Sequence, residues 1–166
     1  MRGVLEGTAA RLAAERLLDS RELEPLRRYC DEMGSTDLAD IERPTIDGFA
    51  RYMDLNEAFH STIVDLAKSP ILKQTIERVT SLPFAAPSAV VFANSKLPNA
   101  AARFAIGEEH HHAIVEAIEH RQGTRAESVA HEHARLSRRN LEMILAQPSI
   151  LSCLPGASLI RLPKAI

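Results

Sequence analysis

The segment EEHHHAIVEAI, residues Glu108 to Ile118, places three consecutive histidines beside an amphipathic helical pattern. Its isoleucines are four residues apart and predict one apolar helix face, and we expect the histidines to open this helix. Successive helical residues point about 100° apart, so at most one or two of the three imidazoles can face inward together. The pattern favours His111 and His110 on the buried side and His112 in solvent.

Similar helical periodicity extends over most of the 166 residues. It predicts helices over about residues 1–18, 20–33, 46–68, 71–82, 124–146 and from the histidines to about 119. Strand signals are weak, because aromatic residues make up only 4% of the chain and no Asn-Gly or Asp-Gly pair joins two alternating runs as in a hairpin. The sequence therefore predicts an all-α fold, an antiparallel bundle of about six helices with an irregular C-terminal tail.

Local signals suggest where the helices begin and end. Asp19 or Ser20 is expected to cap the second helix, and Thr124 and Glu127 fit a T-x-x-E capping box for the last one. Prolines interrupt the stretch PFAAPSAVVF, residues 83–92, which fits either a kinked continuation of the fourth helix or a short break.

Composition limits the class of protein. Hydrophobic residues make up 45% and charged residues 25%, which suits one folded domain, predicted at 1–147, followed by a tail at 148–166. The net charge of −2 argues against a surface that binds nucleic acid as a whole. Cys30 and Cys153 show no spacing of a disulfide framework or zinc ribbon. Without a signal peptide or an apolar run of about 20 residues, a soluble, cytoplasmic protein is expected.

Polar residues interrupt the apolar faces of three predicted helices. Asn56 and His60 are four residues apart on the third helix, only about 40° apart around its axis. His111 lies on the fifth helix and His133 on the sixth, both on apolar sides. Three imidazoles and one oxygen suit a divalent transition metal such as Zn, Ni, Co or Mn, with zinc favoured. Three core histidines with separate hydrogen-bond partners fit this spacing equally well.

Four short motifs, in order, resemble the FCD ligand-binding domain of the FadR branch of GntR transcription regulators. They are R-x-x-L-E with the following A-A-R-L-A-A (residues 2–14), N-x-x-F-H (56–60), E-H-x-x-I-x-x-A-I (110–118, with His110 where glutamate is usual) and A-E-x-x-x-x-x-H (126–133). The resemblance implies an all-α domain that binds a small carboxylate effector, often through a metal, and forms a homodimer above DNA. It also implies that Asn56, His60, His111 and His133 are the metal ligands.

The chain departs from the family pattern in two respects. Many members have aspartate at the position of Asn56, and an amide oxygen brings no charge to a metal. The winged-helix DNA-binding domain that precedes the FCD domain in such regulators is also absent, so either the sequence is a piece of a longer regulator or this chain does not bind DNA by itself. In addition, the apolar stretch PFAAPSAVVF favours an aromatic or partly hydrophobic acid as the effector.

The expected function is that of a ligand-sensing domain rather than an enzyme. Arg2 is a candidate contact for the effector carboxylate, against the simpler interpretation of a solvated or salt-bridged arginine. The remaining histidines are expected at the surface or in positions that support the metal ligands; they are His110, His112, His120 and His131. The alternatives are a mononuclear metalloenzyme that uses the same histidines, with Glu57, Glu108 or Glu109 as base, and a purely structural helical domain without metal.

Overall fold

The computed structural model describes residues 1–35, 46–82, 85–89 and 91–152. Within these ranges the regular structure is helical and no strand is present, so the all-α prediction is confirmed. The elements are α1 (Arg2–Arg16), a 3-10 helix (Ser20–Leu23), α2 (Glu24–Ser35), α3 (Ile46–Leu66), α4 (Pro70–Thr80), α5 (Val91–Asn94), α6 (Ala100–Glu119), α7 (Gly123–Leu145) and α8 (Pro148–Leu151). None of the helices in the described ranges is long and apolar enough to cross a membrane.

Helix α1 is central to the packing, since it contacts α3, α4, α6 and α7. Small side chains let the neighbouring helices approach it closely. Ala9 and Ala10 are completely buried, and a Cβ added to Gly3 would lie 2.9 Å from the Cβ of Ala134 on α7. A Cβ on Gly7 would meet the ring of His131 even more closely. Helices α1 and α7 therefore pack almost backbone to backbone.

Helix α3 buries the face that its periodicity predicts. Phe59 is completely buried, while Tyr52 and Ile63 keep at most 5% of their surface exposed. Asn56 lies in this face with 5% exposure, and the side chain of His60 with 12%. The same helix therefore carries both core residues and polar groups into the centre of the bundle.

The histidine helix begins earlier than expected. Helix α6 starts at Ala100, after Asn99 in the left-handed conformation (φ 57°), so the three histidines lie in its middle and do not open it. Their orientation is as predicted, with His111 buried, His110 half-buried and His112 exposed.

The capping prediction for the last helix is wrong. Helix α7 follows Gln122, and no side chain caps its first turn. The carboxylate of Glu127 instead accepts a hydrogen bond from Arg11 Nη1 at 3.3 Å, a contact to α1 that outweighs the local motif. Asp19 does cap the 3-10 helix, in a reciprocal capping box with Glu22.

Two prolines that lie just beyond the ends of predicted helices begin the next helices. Pro70 starts α4 and Pro148 starts α8, as suits a residue whose missing N–H is not needed in the first turn. Ile150 of α8 packs with Ile144 in a small second core, so the predicted irregular tail has a helical start. Residues 153–166, the rest of that tail, lie outside the described residues.

The stretch PFAAPSAVVF breaks the helix rather than continuing it. Residues 85–89 form turns and bends, and α5 then begins at Val91. Residues 83, 84 and 90 lie outside the described residues. This connection brings Ser88, which is 8% exposed, against α3.

Candidate metal centre

Three histidines from three helices meet in the core of the bundle. His60 of α3, His111 of α6 and His133 of α7 each offer a ring nitrogen, and these atoms all lie within 4.8 Å of one another. The ring centroids are 4.6 Å apart for His111 and His133 and 5.2 Å apart for His60 and His133. Two nitrogens bound to one tetrahedral Zn²⁺ at about 2.0–2.1 Å lie about 3.3 Å apart, so the rings would have to approach one another by up to about 1.5 Å to share an ion.

Four of the six ring nitrogens in this cluster have no hydrogen-bond partner in the described part of the chain. His60 Nε2, both nitrogens of His111 and His133 Nδ1 are buried and make no hydrogen bond. Burying an unpaired polar atom costs about 1–3 kcal/mol, so three separately satisfied core histidines do not describe this site. The donor set therefore fits a metal ion.

The electrostatic environment keeps these imidazoles neutral. Burial lowers the pKa of His60, His111 and His133, and the neighbouring histidines lower the three values further. For His133 the pKa falls to about 3. A neutral imidazole has a free lone pair, which is the form that coordinates a metal.

Apolar residues surround the cluster. The ring of Phe59 stands 4.4 Å from that of His111, between centroids. Beside His60 and His133 lies a cavity of about 10 Å³, which Ile63, Val64 and two alanines of α1 also line. Such a space admits about one sphere the size of a water molecule.

The amide of Asn56 is oriented by the connection that follows α4. Asn56 is buried one helical turn before His60, and its Nδ2 donates a hydrogen bond to Ser88 Oγ at 3.2 Å. The Ser88 hydroxyl in turn donates to the carbonyl of Met53 at 3.0 Å. The role of Asn56 as the fourth ligand remains a prediction.

Glu6 is a component of the site that the sequence reasoning missed. Its side chain is only 8% exposed; Oε1 lies 3.9 Å from His60 Nδ1, and Oε2 lies 3.5 Å from Arg2 Nε. Burial raises the pKa of Glu6, and the charge of Arg2 partly opposes this. The available signal was its spacing from the alanines at 9, 10 and 13, which places Glu6 on the buried face of α1.

Arg2 lies close to the cluster and forms a salt bridge with Glu6, as the simpler interpretation of this arginine expects. Its Nη1 donates to the carbonyl of Ala85 at 3.2 Å, and its side chain is 18% exposed. Its positive charge contributes to the lowered pKa of His60 and of His133. Arg2 therefore stands between Glu6 and the connection after α4, and its contact with an effector remains a prediction.

The other histidines lie around this centre or away from it. His110 is half-buried, with its ring centroid 5.9 Å from that of His133. His131 packs on Gly7, while His112 and His120 are exposed. These placements agree with the expected surface or supporting positions.

Fold and site together define an all-α domain with a three-histidine cluster in its core. The model of the FCD domain family matches residues 1–136, and the chain belongs to that family. FCD domains are the effector-binding domains of GntR-family transcription regulators. A comparison with curated proteins finds no match. Assignment to the FadR subfamily remains a prediction.

Proposed function

We propose that this domain senses a small carboxylate effector through a divalent metal held between α3, α6 and α7. The observation that carries the proposal is the convergence of three buried histidines with unpaired nitrogens. His60, His111 and His133 would hold the ion, with the Asn56 amide oxygen as fourth ligand. When bound, a cation with these ligands supplies open coordination positions for a carboxylate. Zinc suits the nitrogen donors best, and Ni, Co and Mn are the alternatives.

The effector is proposed to bind in a cavity between α3 and α4. This cavity, of about 190 Å³, is bordered by Glu6 and His60, by Ser61, Lys73 and Pro87, and by Glu57 and Glu77. Pro87 belongs to the PFAAPSAVVF stretch and supports an effector that is partly apolar, such as an aromatic acid. Arg2 provides a guanidinium nearby that can pair with a carboxylate.

Helix α1 is the proposed route from the site to the rest of the regulator. It carries Arg2 and Glu6 to the histidine cluster, and it also packs against four other helices. A change in the effector cavity therefore shifts contacts along α1, which leads back to Met1. We propose that a homodimer of such domains relays this change to winged-helix domains, which make the contact with DNA.

A catalytic role receives less support. Glu57 and Glu109, two candidate bases, are exposed. Burial raises the pKa of Cys30 and of Tyr52, and the charge of Glu108 adds to both shifts, which places Glu108 toward those side chains. We therefore propose a binding module rather than an enzyme. Hydrolysis of simple esters by the zinc-loaded protein, faster than by free Zn²⁺ and lost in His111→Ala, would contradict this.

Elemental analysis of the full chain tests the metal site. Wild type is compared with His111→Ala and His133→Ala after dialysis against metal-free buffer, with His112→Ala as the matched control. His112 is the exposed neighbour of buried His111, so the control changes the same residue type on the same helix. We expect near-stoichiometric metal in wild type and control and its loss from both core variants. Equal metal content in all four folded proteins, including none, would refute the proposal.

A thermal-shift panel of metal-loaded protein then tests the effector. Aromatic acids are compared with small hydroxy acids and with the corresponding amides, which lack the carboxylate. We expect the acids to stabilise the domain and the amides to have little effect. Stabilisation by hydroxy acids alone would exclude the aromatic preference.

A further inference from the structure

Ser88 occupies an unusual position for a residue in a connection between helices. It is 8% exposed and makes two hydrogen bonds with α3. Its Oγ donates to the carbonyl oxygen of Met53 at 3.0 Å and accepts from Nδ2 of Asn56 at 3.2 Å. Ser88 therefore links the connection after α4 directly to a proposed metal ligand.

These two bonds determine which way the amide of Asn56 faces. A serine hydroxyl has a single proton, and here that proton is used by the Met53 carbonyl. The Ser88 oxygen can then only accept, so the side of Asn56 that faces it must be the NH₂ group. The amide oxygen, Oδ1, is left on the opposite side. Only this oxygen can bind a cation, because the amide nitrogen is a donor.

We propose that Ser88 is a positioning residue that keeps Oδ1 of Asn56 turned toward a cation beside His60. This inference rests on the proposed metal-sensing function. Without the Ser88 acceptor, the amide loses the bond that distinguishes its two orientations. Part of the population would then present NH₂ to the ion, and the metal affinity falls.

The hydrogen-bond pattern also suits asparagine better than aspartate. A carboxylate at this position would place a second acceptor against Ser88 Oγ. Ser88 would have to turn its proton toward it and leave the Met53 carbonyl without that bond. Ser88 and Asn56 are therefore a matched pair for a neutral oxygen ligand.

A double-mutant cycle distinguishes positioning from a merely structural role. Zn²⁺ affinity is measured by competition with a chromophoric chelator in wild type, Ser88→Ala, Asn56→Asp and the double variant. Loss of a residue that orients a metal ligand typically reduces affinity about 10- to 100-fold, and we expect such a loss for Ser88→Ala. In the Asn56→Asp background both oxygens can ligate, so Ser88→Ala should have little effect there. Ser88→Thr, which keeps the hydroxyl, should have the Zn²⁺ affinity of wild type when Asn56 is unchanged.

Ser128→Ala is the control, since its exposed hydroxyl bonds only to the backbone of its own helix. The visible spectrum of bound Co²⁺ reports the coordination sphere separately from affinity, and we expect Ser88→Ala to alter it. Thermal unfolding of the metal-free proteins checks the fold. If Ser88→Ala does not fold, Ser88→Val replaces it, because valine has the shape of the threonine variant but no acceptor and no metal-binding atom.

The outcomes separate this inference from the proposed function. If wild type does not bind Zn²⁺, the metal-sensing function and the role of Ser88 both fail. If wild type binds but Ser88→Ala binds equally well, only the Ser88 inference fails. It also fails if Ser88→Ala weakens binding by the same factor in both backgrounds, as a structural residue would.

Discussion

Mild acid should destabilise the metal-free domain, because the three core histidines are buried in their neutral form. Burial holds the folded-state pKa of His60, His111 and His133 below the unfolded value of about 6.5. The unfolded chain therefore binds more protons below about pH 6.5, and the free energy of unfolding decreases as the pH falls. The full stability is present above that pH, and the loss from His133 continues until about pH 3.

The size of the effect can be estimated for His133, whose pKa falls to about 3. Each pH unit between its unfolded and folded pKa lowers stability by about 1.4 kcal/mol. At about pH 5 the loss from His133 alone is about 2 kcal/mol, a large part of the roughly 5–15 kcal/mol of a typical domain. His60 and His111 act in the same direction. Glu6 acts in the opposite direction, because burial raises its pKa and its protonation favours the folded state.

Urea unfolding in the presence of a chelator measures this loss. Wild type is compared with His133→Gln at about pH 7, 6 and 5, a range above most carboxylate pKa values. We expect the variant to lose about 2 kcal/mol less stability than wild type over this range. His112→Gln, which replaces an exposed histidine of α6, is the matched control. Equal slopes for wild type and His133→Gln would refute the claim that His133 is buried without charge.

Gly7→Ala should destabilise the domain by about 1–3 kcal/mol in urea unfolding, because its Cβ would overlap the ring of His131 and lie 3.2 Å from the backbone oxygen of Glu127 on α7. Gly107→Ala, with no atom within 4 Å of the added Cβ, should instead stabilise it by about 0.5–1 kcal/mol, and the opposite ranking would contradict the α1 and α7 packing. Asp19→Ala should lower the thermal unfolding midpoint because it removes the cap of the 3-10 helix, whereas Thr124→Ala should not, since α7 has no side-chain cap. Excess Zn²⁺ should raise the thermal unfolding midpoint of wild type and leave that of His111→Ala unchanged. A free Zn²⁺ concentration of 100 times the dissociation constant corresponds to about 2.7 kcal/mol of added stability.

Helical periodicity predicts the faces of the long helices well, because core burial repeats with the pitch of the helix. It correctly placed Asn56, His60, His111 and His133 inside the bundle. The start of α6 was harder to predict from the sequence. Residues 100–102 are all alanine, so they show no single apolar face, and only the high helix propensity of alanine pointed to the nearly three turns that precede the histidines.

The features that the sequence did not predict depend on contacts between distant segments of the chain. Ser88 is 32 residues from Asn56 in sequence, and its hydrogen bond depends on where the connection after α4 meets α3. Glu127 fits a capping motif, but Arg11 of another helix binds it instead. Local patterns predict which way a side chain points on its own helix, whereas its partner is set by the packing of the whole bundle.

We propose that the charge balance of the site links metal binding and effector binding. The four proposed ligands are three neutral imidazoles and one neutral amide, and the carboxylate of Glu6 is shared between Arg2 at 3.5 Å and His60 at 3.9 Å. A divalent ion held by these ligands retains most of its charge in apolar surroundings, which is unfavourable unless an anion accompanies it. An effector carboxylate provides that anion. Binding of the two must then be reciprocal, so that the effector raises metal affinity by the same factor as the metal raises effector affinity. A carboxylate ligand in place of Asn56 would weaken this coupling, because the protein itself would supply part of the negative charge.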